Sequence, residues 1–269
     1  MKHIQLFLLL SFTLFFAQKQ QFIYEYRFVP DSTDRSAVRT EFMALNINST
    51  KSEFYGLERF KSDSAMLADS KKGIFSMPPN KEMIGERVIK YPNSSKLSYI
   101  KILDEKYIVE QDVKLNWNLK NEFKTIMSYK AQKATTEFGG RRWIAWFTSG
   151  IPFQDGPYKF SGLPGLILEL EDSTHSHIFT IKGMKDTDEE FIYPNLNNYK
   201  EIKITYPQFV KVFKTNRKNP VASLIGKIPD QTDSSGKFTS GQQMLKEIET
   251  MRLEQFKKDN NIIEINLLR

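Results

Sequence analysis

The chain has 269 residues, 39 Lys and Arg against 32 Asp and Glu, a formal net charge of +7, and no cysteine. That composition excludes disulfides, thiol nucleophiles and cysteine-based zinc sites, so stability has to come from a hydrophobic core. The positive excess is spread along the chain rather than clustered, which argues against a nucleic-acid footprint.

Residues 1–17 read as a secretory signal. Lys2 and His3 give a positive start, Ile4 to Phe16 is almost wholly apolar, and Ala17-Gln18 is a cleavage junction. The apolar run is shorter than the ~20 residues a spanning helix needs. A periplasmic or secreted protein is therefore expected, not an integral membrane one, with residues 18–269 forming one domain.

Gln21 to Val29 alternates Phe22, Tyr24, Tyr26 and Phe28 against more polar neighbours, which predicts a strand with an aromatic face. A turn at Pro30–Asp34 leads to a strand over Arg39–Asn48, and Asn48–Lys51 turns into another at Ser52–Tyr55. Leu57 to Lys72 is more helical. Short strands are expected near Met83–Tyr91, Leu97–Leu103 and Lys106–Val113, with Trp117 packing in the core or on a sheet face. Lys124 to Thr148 reads as a hairpin around Gly139-Gly140, a two-residue positive-φ turn, which pairs residues whose numbers sum to 279. Trp143 to Phe147 is apolar on both faces and predicts a strand covered on two sides.

After a Gly/Pro-rich stretch, Leu166–Asp172 and His177–Met184 form a second predicted hairpin, with a further short strand at Glu201–Thr205. Thr205 is the expected cap of a helix over Tyr206–Asn216. Lys227 to Lys237 reads as loop. Ser240 and Gln243 match a capping box ahead of a helix over Gly241–Lys258, whose apolar side carries Met244, Leu245, Ile248, Met251, Gln255 and Phe256. The expected fold is α+β, a mainly antiparallel curved β-sheet with C-terminal helices packed on one face.

Gly156 to Leu168 packs glycines and prolines ahead of an apolar strand, and Gly162 to Ile167 spells GLPGLI. Together with Tyr129–Thr136, Ala145–Thr148, Ile151-Pro152 and Gly156-Pro157, it resembles the GLPGLI family of exported Bacteroidota proteins. Ala131 stands where many members carry cysteine. The resemblance implies a location and a fold, and it transfers no catalytic residue.

Little catalytic chemistry is spelled out. His175 and His177 would share a strand face but fall in a predicted turn, and exposed turn histidines are expected rather than a metal pair. Neither Ser149 nor Ser161 sits in a G-x-S-x-G elbow, and no phosphate-binding glycine motif occurs. Asp155, Glu169 and Glu171 supply carboxylates for a glycosidase-like pair, although solvated Glu169 and Glu171 on a strand face explain them more simply. The motif residues Gly156, Pro157, Gly162, Leu163, Pro164, Gly165, Leu166 and Ile167 are expected to act mainly as an architectural joint. Trp146, Phe153, Tyr158 and Phe160 are the candidates for lining an apolar pocket. The expected function is an exported, non-enzymatic binding or accessory protein of the cell envelope, holding an apolar ligand or docking an envelope partner, with no cofactor. The alternatives are a carboxylate-based hydrolase acting on glycans or peptides and a structural component of an envelope complex.

Overall fold

The computed structural model describes residues 19–79, 83–187, 190–196 and 200–269; the segment 1–17, expected to be a secretory signal, lies outside them. In chain order the elements are β1 (Gln20–Phe28), β2 (Arg39–Ile47), β3 (Ser52–Gly56), α1 (Leu57–Lys71), β4 (Arg87–Lys90), β5 (Lys96–Ile102) and β6 (Lys106–Asp112). They continue with β7 (Asn118–Ile126), β8 (Tyr129–Phe138), β9 (Arg141–Thr148), β10 (Leu166–Asp172), β11 (His177–Asp186) and β12 (Glu201–Thr205). The chain closes with α2 (Tyr206–Lys218), a small ribbon of β13 (Gln231–Thr232) and β14 (Phe238–Thr239), and α3 (Gly241–Lys258).

Strands β1 to β12 form one large sheet in the order β12-β6-β5-β4-β3-β2-β1-β11-β10-β9-β8-β7, with β12 and β7 at its edges and no closed barrel. It is antiparallel throughout except where β12 runs parallel to β6. β1 sits near the middle because its alternation suits burial. Phe22, Tyr24 and Tyr26 face the core, and the strand pairs with β2 on one side and β11 on the other.

The β8–β9 register has the expected form, with Lys133 opposite Trp146, Thr136 opposite Trp143 and Phe138 opposite Arg141. Gly139 and Gly140, at φ +63° and +82°, supply the turn that fixes it. Three expectations need correction. The strand expected to begin at Lys124 is broken by Met127 and Ser128, at φ +47° and +70°, so β7 and β8 form a hairpin of their own. β9 is deeply buried on one side only: Trp143, Ala145 and Phe147 are covered, whereas Ile144 and Trp146 are half-exposed. Lys227–Lys237 is not all loop, because Gln231-Thr232 pairs with Phe238-Thr239.

The helix starts follow their caps. The Thr205 backbone N–H donates to the Gln208 side chain at 2.9 Å, and Ser240 Oγ accepts from Gln243 N at 3.2 Å. In α2, Phe209 and Phe213 are buried, with the Phe209 ring edge-on to Tyr99 of β5. α3 differs from its expectation. Only Gly241 is fully buried there, and Met251, assigned to the apolar side, is 62% exposed. Arg252 ties α3 to the Pro220 carbonyl, and Arg217 of α2 lies over the Phe256 ring at 4.5 Å.

The Gly/Pro stretch between β9 and β10 lies against the face that carries Trp143. Ile151, Tyr158, Phe160 and Leu163 are all buried, and the Phe160 ring rests 4.7 Å from Trp143. The segment satisfies much of its own backbone: Leu166 N donates to Ile151 O and Ile167 N to Asp155 O. The Tyr24 hydroxyl donates to Ile167 O at 2.7 Å within the core. Tyr24→Phe keeps the ring and strands that carbonyl, so the expected loss is about 1 kcal/mol of unfolding free energy by urea titration.

Candidate functional site

The last ten residues supply a partner that the motif alone does not suggest. Lys159, in the middle of the Gly/Pro stretch, is fully buried and makes an ion pair with Glu264. Its ammonium also donates to Gln111 Oε1 at 2.7 Å and lies 4.1 Å from the Tyr99 ring centroid. Tyr158 and Tyr206 each donate a hydroxyl to Glu264, both at 2.7 Å. Burial alone would raise the Glu264 pKa, but Lys159 and the two hydroxyls hold the carboxyl below its ordinary range. Burial also lowers Lys159, partly offset by the same carboxylate. Each charge makes the other's burial tolerable. The tail carrying Glu264 crosses the β8–β9 turn, where Asn266 N donates to Gly139 O.

Between this tail, α2 and the core face of the sheet lies a cavity of about 150 Å³. Phe28, Met43, Phe54, Val88 and Phe179 line it from the strands, Phe209 and Phe213 from α2, and Ile262, Ile263 and Leu267 from the tail. Tyr158 brings the Gly/Pro stretch to its wall. Aromatic packing organises the strand side: Tyr26 stacks on Phe179 with centroids 4.1 Å apart and planes 3° off parallel.

A few polar groups interrupt the apolar lining. Glu86 and Lys101 form an ion pair; burial works against the Glu86 charge, and the nearby ammonium overrides it and lowers the pKa. Burial raises the Asp259 pKa despite its ion pair with Arg217. His177 is buried, its Nδ1 is 2.7 Å from the Tyr26 hydroxyl, and its Nε2 has no hydrogen-bond partner. Burial, reinforced by the neighbouring Arg141 guanidinium, pushes His177 down to about 4, so the ring is neutral at pH 7.

Arg141 and Asp172 anchor this corner. Asp172 accepts from the Ser176 and His177 N–H groups at 2.7 and 2.8 Å and from Arg141 Nη1 at 3.1 Å. Arg141 Nη2 reaches Asn261 Oδ1 at 2.6 Å and Ile262 O at 2.8 Å, fastening the tail. A pH prediction follows from the imidazole. Its folded pKa lies below the unfolded value of about 6.5, so its contribution is intact above that value and is lost as pH falls through about 4. The expected loss by pH 4 is about 3 kcal/mol. Urea titrations at pH 7 and pH 4 should show this drop, and His177→Gln should lack that part of it; equal pH slopes in both proteins would contradict it.

The sequence candidates disperse rather than converge. Tyr158 lines the cavity described above, and Phe153 lines a wider, more open cleft of about 660 Å³ with Asp155 and Gly162. Trp146 and Phe160 line neither: Phe160 is fully buried against Trp143, and Trp146 is half-buried with Lys124 over its ring at 4.6 Å. Of the motif residues, Gly156 accepts from Lys90 Nζ at 2.6 Å and the Pro157 carbonyl from Phe160 N at 3.1 Å. Leu163, Leu166 and Ile167 are buried, whereas Gly162 and Pro164 are exposed.

The carboxylates have separate partners. Asp155 is held by Lys90 and Ser52, and Glu169 pairs with Lys124. His175 is exposed and contacts Glu171 at 2.8 Å, as a turn histidine should. His177 corrects the same expectation, because it begins β11 in phase with buried Phe179 and Ile181. That alternation was the available signal. Lys159, Glu264 and Arg141 were missed, since their role depends on a tail contact about a hundred residues away in sequence. Among the described residues no group of three or more His, Asp or Glu side chains could hold a metal ion.

Sheet and cavity together define a mostly β-sheet protein with a small, mainly apolar pocket on the core face of its sheet. A family model described as "Protein of unknown function (Porph_ging)" matches residues 139–169, from the β8–β9 turn through the Gly/Pro stretch into β10. Two solved structures, described as PNGF-II in the P21 and C2 space groups, are similar in fold. Each has a TM-score of 0.53, with 15% and 14% identity respectively, over 75% of this chain. The chain spans about a third of the length of each (34%), and at this identity the likeness concerns fold alone. No curated protein matches it in sequence. Among the described residues no helix is long and apolar enough to cross a membrane.

Proposed function

We propose that this is an exported, non-enzymatic binding protein of the GLPGLI type that holds a small, mostly apolar ligand in the chamber beside His177. The observation that carries this reading is a cavity of about 150 Å³ with a mainly apolar lining that includes Phe54, Phe179 and Phe209. A concave, mainly apolar site touched by a few polar side chains is the usual form of a small-molecule site. A cavity of this volume accommodates a molecule of roughly benzene size, smaller than a whole lipid.

A curved sheet is part of the same proposal. Tyr158 lies 6.0 Å from Tyr99 on β5 and 6.5 Å from Phe138 on β8, ring centroid to ring centroid. Those strands are eight steps apart in the sheet, roughly 38 Å if it were flat. Curling of the sheet around the Gly/Pro stretch, with α2 on the inner side, reconciles the two. The stretch is then both joint and wall: it sets the enclosure and contributes Tyr158 to it.

Native mass spectrometry of protein recovered from its producing cells, followed by solvent extraction, tests the binding reading. The expected result is a bound small molecule released on denaturation. A homogeneous, ligand-free protein that takes up no small apolar compound would overturn it. Fractionation should place the mature chain outside the cytoplasm, beginning at Gln18.

A further inference from the structure

We infer that the wider cleft bordered by Asp155 is a second binding site, and that its ligand is a neutral saccharide. The cleft holds about 660 Å³ and shares none of its described lining residues with the chamber. That volume falls within the range of about 300–1,000 Å³ usual for small-ligand sites. It lies at one end of the sheet, where the β2–β3 and β4–β5 turns meet the Gly/Pro stretch. Register puts Ser52 of β3 opposite Lys90 of β4 there. Both are buried and both donate to Asp155, Lys90 to Oδ1 and Ser52 to Oδ2. The Gly156 N–H adds a second bond to Oδ1 at 2.7 Å. The carboxylate is thereby fixed in place, yet its side chain stays 14% exposed and borders the cleft. A carboxylate oxygen has two lone pairs, so Oδ2 keeps room for one more donor.

The rest of the lining selects the ligand class. Ser49, Asn93 and Gln154 are exposed there, with side chains that can both donate and accept. Tyr91, 44% exposed, and half-buried Phe153 supply rings beside them. A sugar matches that mixture, with hydroxyls that donate and accept and C–H faces that pack on aromatic rings. An apolar ligand would take the amides and hydroxyls out of water and return no hydrogen bond. Charge is balanced: Lys90 has Asp155, Lys51 has Glu53, and Lys114 lies 3.9 Å from Asp112. Neither an anion nor a cation meets an uncommitted opposite charge. Asp155 is the one carboxylate among the described lining residues, so the pair of acids that glycoside hydrolysis ordinarily uses is missing. The cleft binds and does not cleave.

Isothermal titration of the full mature chain with cellotriose, maltotriose, chitotriose and mannotriose tests the class, with trigalacturonic acid and trialanine amide as charged and peptide controls. At least one neutral trisaccharide should bind. Exposed Tyr91 and Gln154 give variants that leave the core alone, and Tyr91→Ala and Gln154→Ala should each weaken that sugar about three- to tenfold, the worth of one aromatic contact or one hydrogen bond. Asp155→Asn also unpairs buried Lys90, so amide shift changes in labelled wild-type protein locate the sugar without any variant. They should concentrate at Tyr91, Asn93, Gln154 and Asp155. No binding by any of the four neutral sugars, or shift changes elsewhere in the molecule, would overturn the assignment. Tighter binding of trigalacturonic acid would overturn neutrality, and binding of trialanine amide alone would make the cleft a peptide site. The chamber reading stands or falls separately, on bound apolar compounds.

Discussion

Glu264→Ala lowers the unfolding free energy by about 3–5 kcal/mol, the usual consequence of leaving a buried charge without its partner. The variant leaves the Lys159 ammonium in a fully buried site with only Gln111 and aromatic faces around it, and it frees two tyrosine hydroxyls as well. Lys159→Met should cost a similar amount by isolating the carboxylate. The double variant should be more stable than either single one, since removing both charges removes the desolvation problem they share. Because the folded pKa of Glu264 is depressed, its contribution is present above the unfolded carboxylate value and is lost as acid titrates the folded group. A urea series on the four proteins at pH 7 checks the cycle. Strict additivity would contradict a direct pair.

Gly165→Ala is the second large effect. Gly165 sits at φ +143°, and a Cβ there would lie 2.0 Å from the carbonyl oxygen of Thr148 and 2.9 Å from Cα of Ser149. Those atoms are backbone, so they cannot rotate away. Strain and overlap together predict a loss of about 3–5 kcal/mol. At about 2–4 °C per kcal/mol for a domain of this size, the melting temperature falls by roughly 10 °C. Gly162 is the internal control. It has φ +89° but nothing within 4 Å of its would-be Cβ, so Gly162→Ala should cost only about 1–2 kcal/mol of left-handed backbone strain. Calorimetry on the two variants should rank them clearly. Equal losses would mean that conformation, rather than the close approach to β9, explains the glycines.

What could be read from the residues followed local rules. Alternation located β1, and two adjacent glycines fixed the β8–β9 register to the residue. Caps at Thr205 and Ser240 placed two helix starts. Local rules failed where non-glycine residues adopt left-handed backbone, as at Met127-Ser128, because nothing in Met or Ser announces that conformation. They failed again where the partner is remote. The parallel pairing of β12 with β6 is a tertiary fact, as is the tail's contact with Lys159 and Arg141. The candidate aromatics illustrate the same limit. Neighbours of the Gly/Pro stretch in sequence part company in space, with Phe160 in the core, Phe153 at an open cleft and Tyr158 alone reaching the chamber. His177, expected in an exposed turn, is instead buried at the start of β11.

The Gly/Pro stretch around GLPGLI connects β9 to β10 and contributes Tyr158 to the chamber wall, and Lys159 within it is held by Glu264 of the tail that lines the same chamber. Xenon placed into crystals under pressure tests that claim most directly, since it enters empty apolar cavities without needing polar contacts. The account predicts an ordered xenon site bounded by Phe54, Phe179 and Phe209. A chamber filled by protein side chains, with no xenon between those three rings, would contradict it.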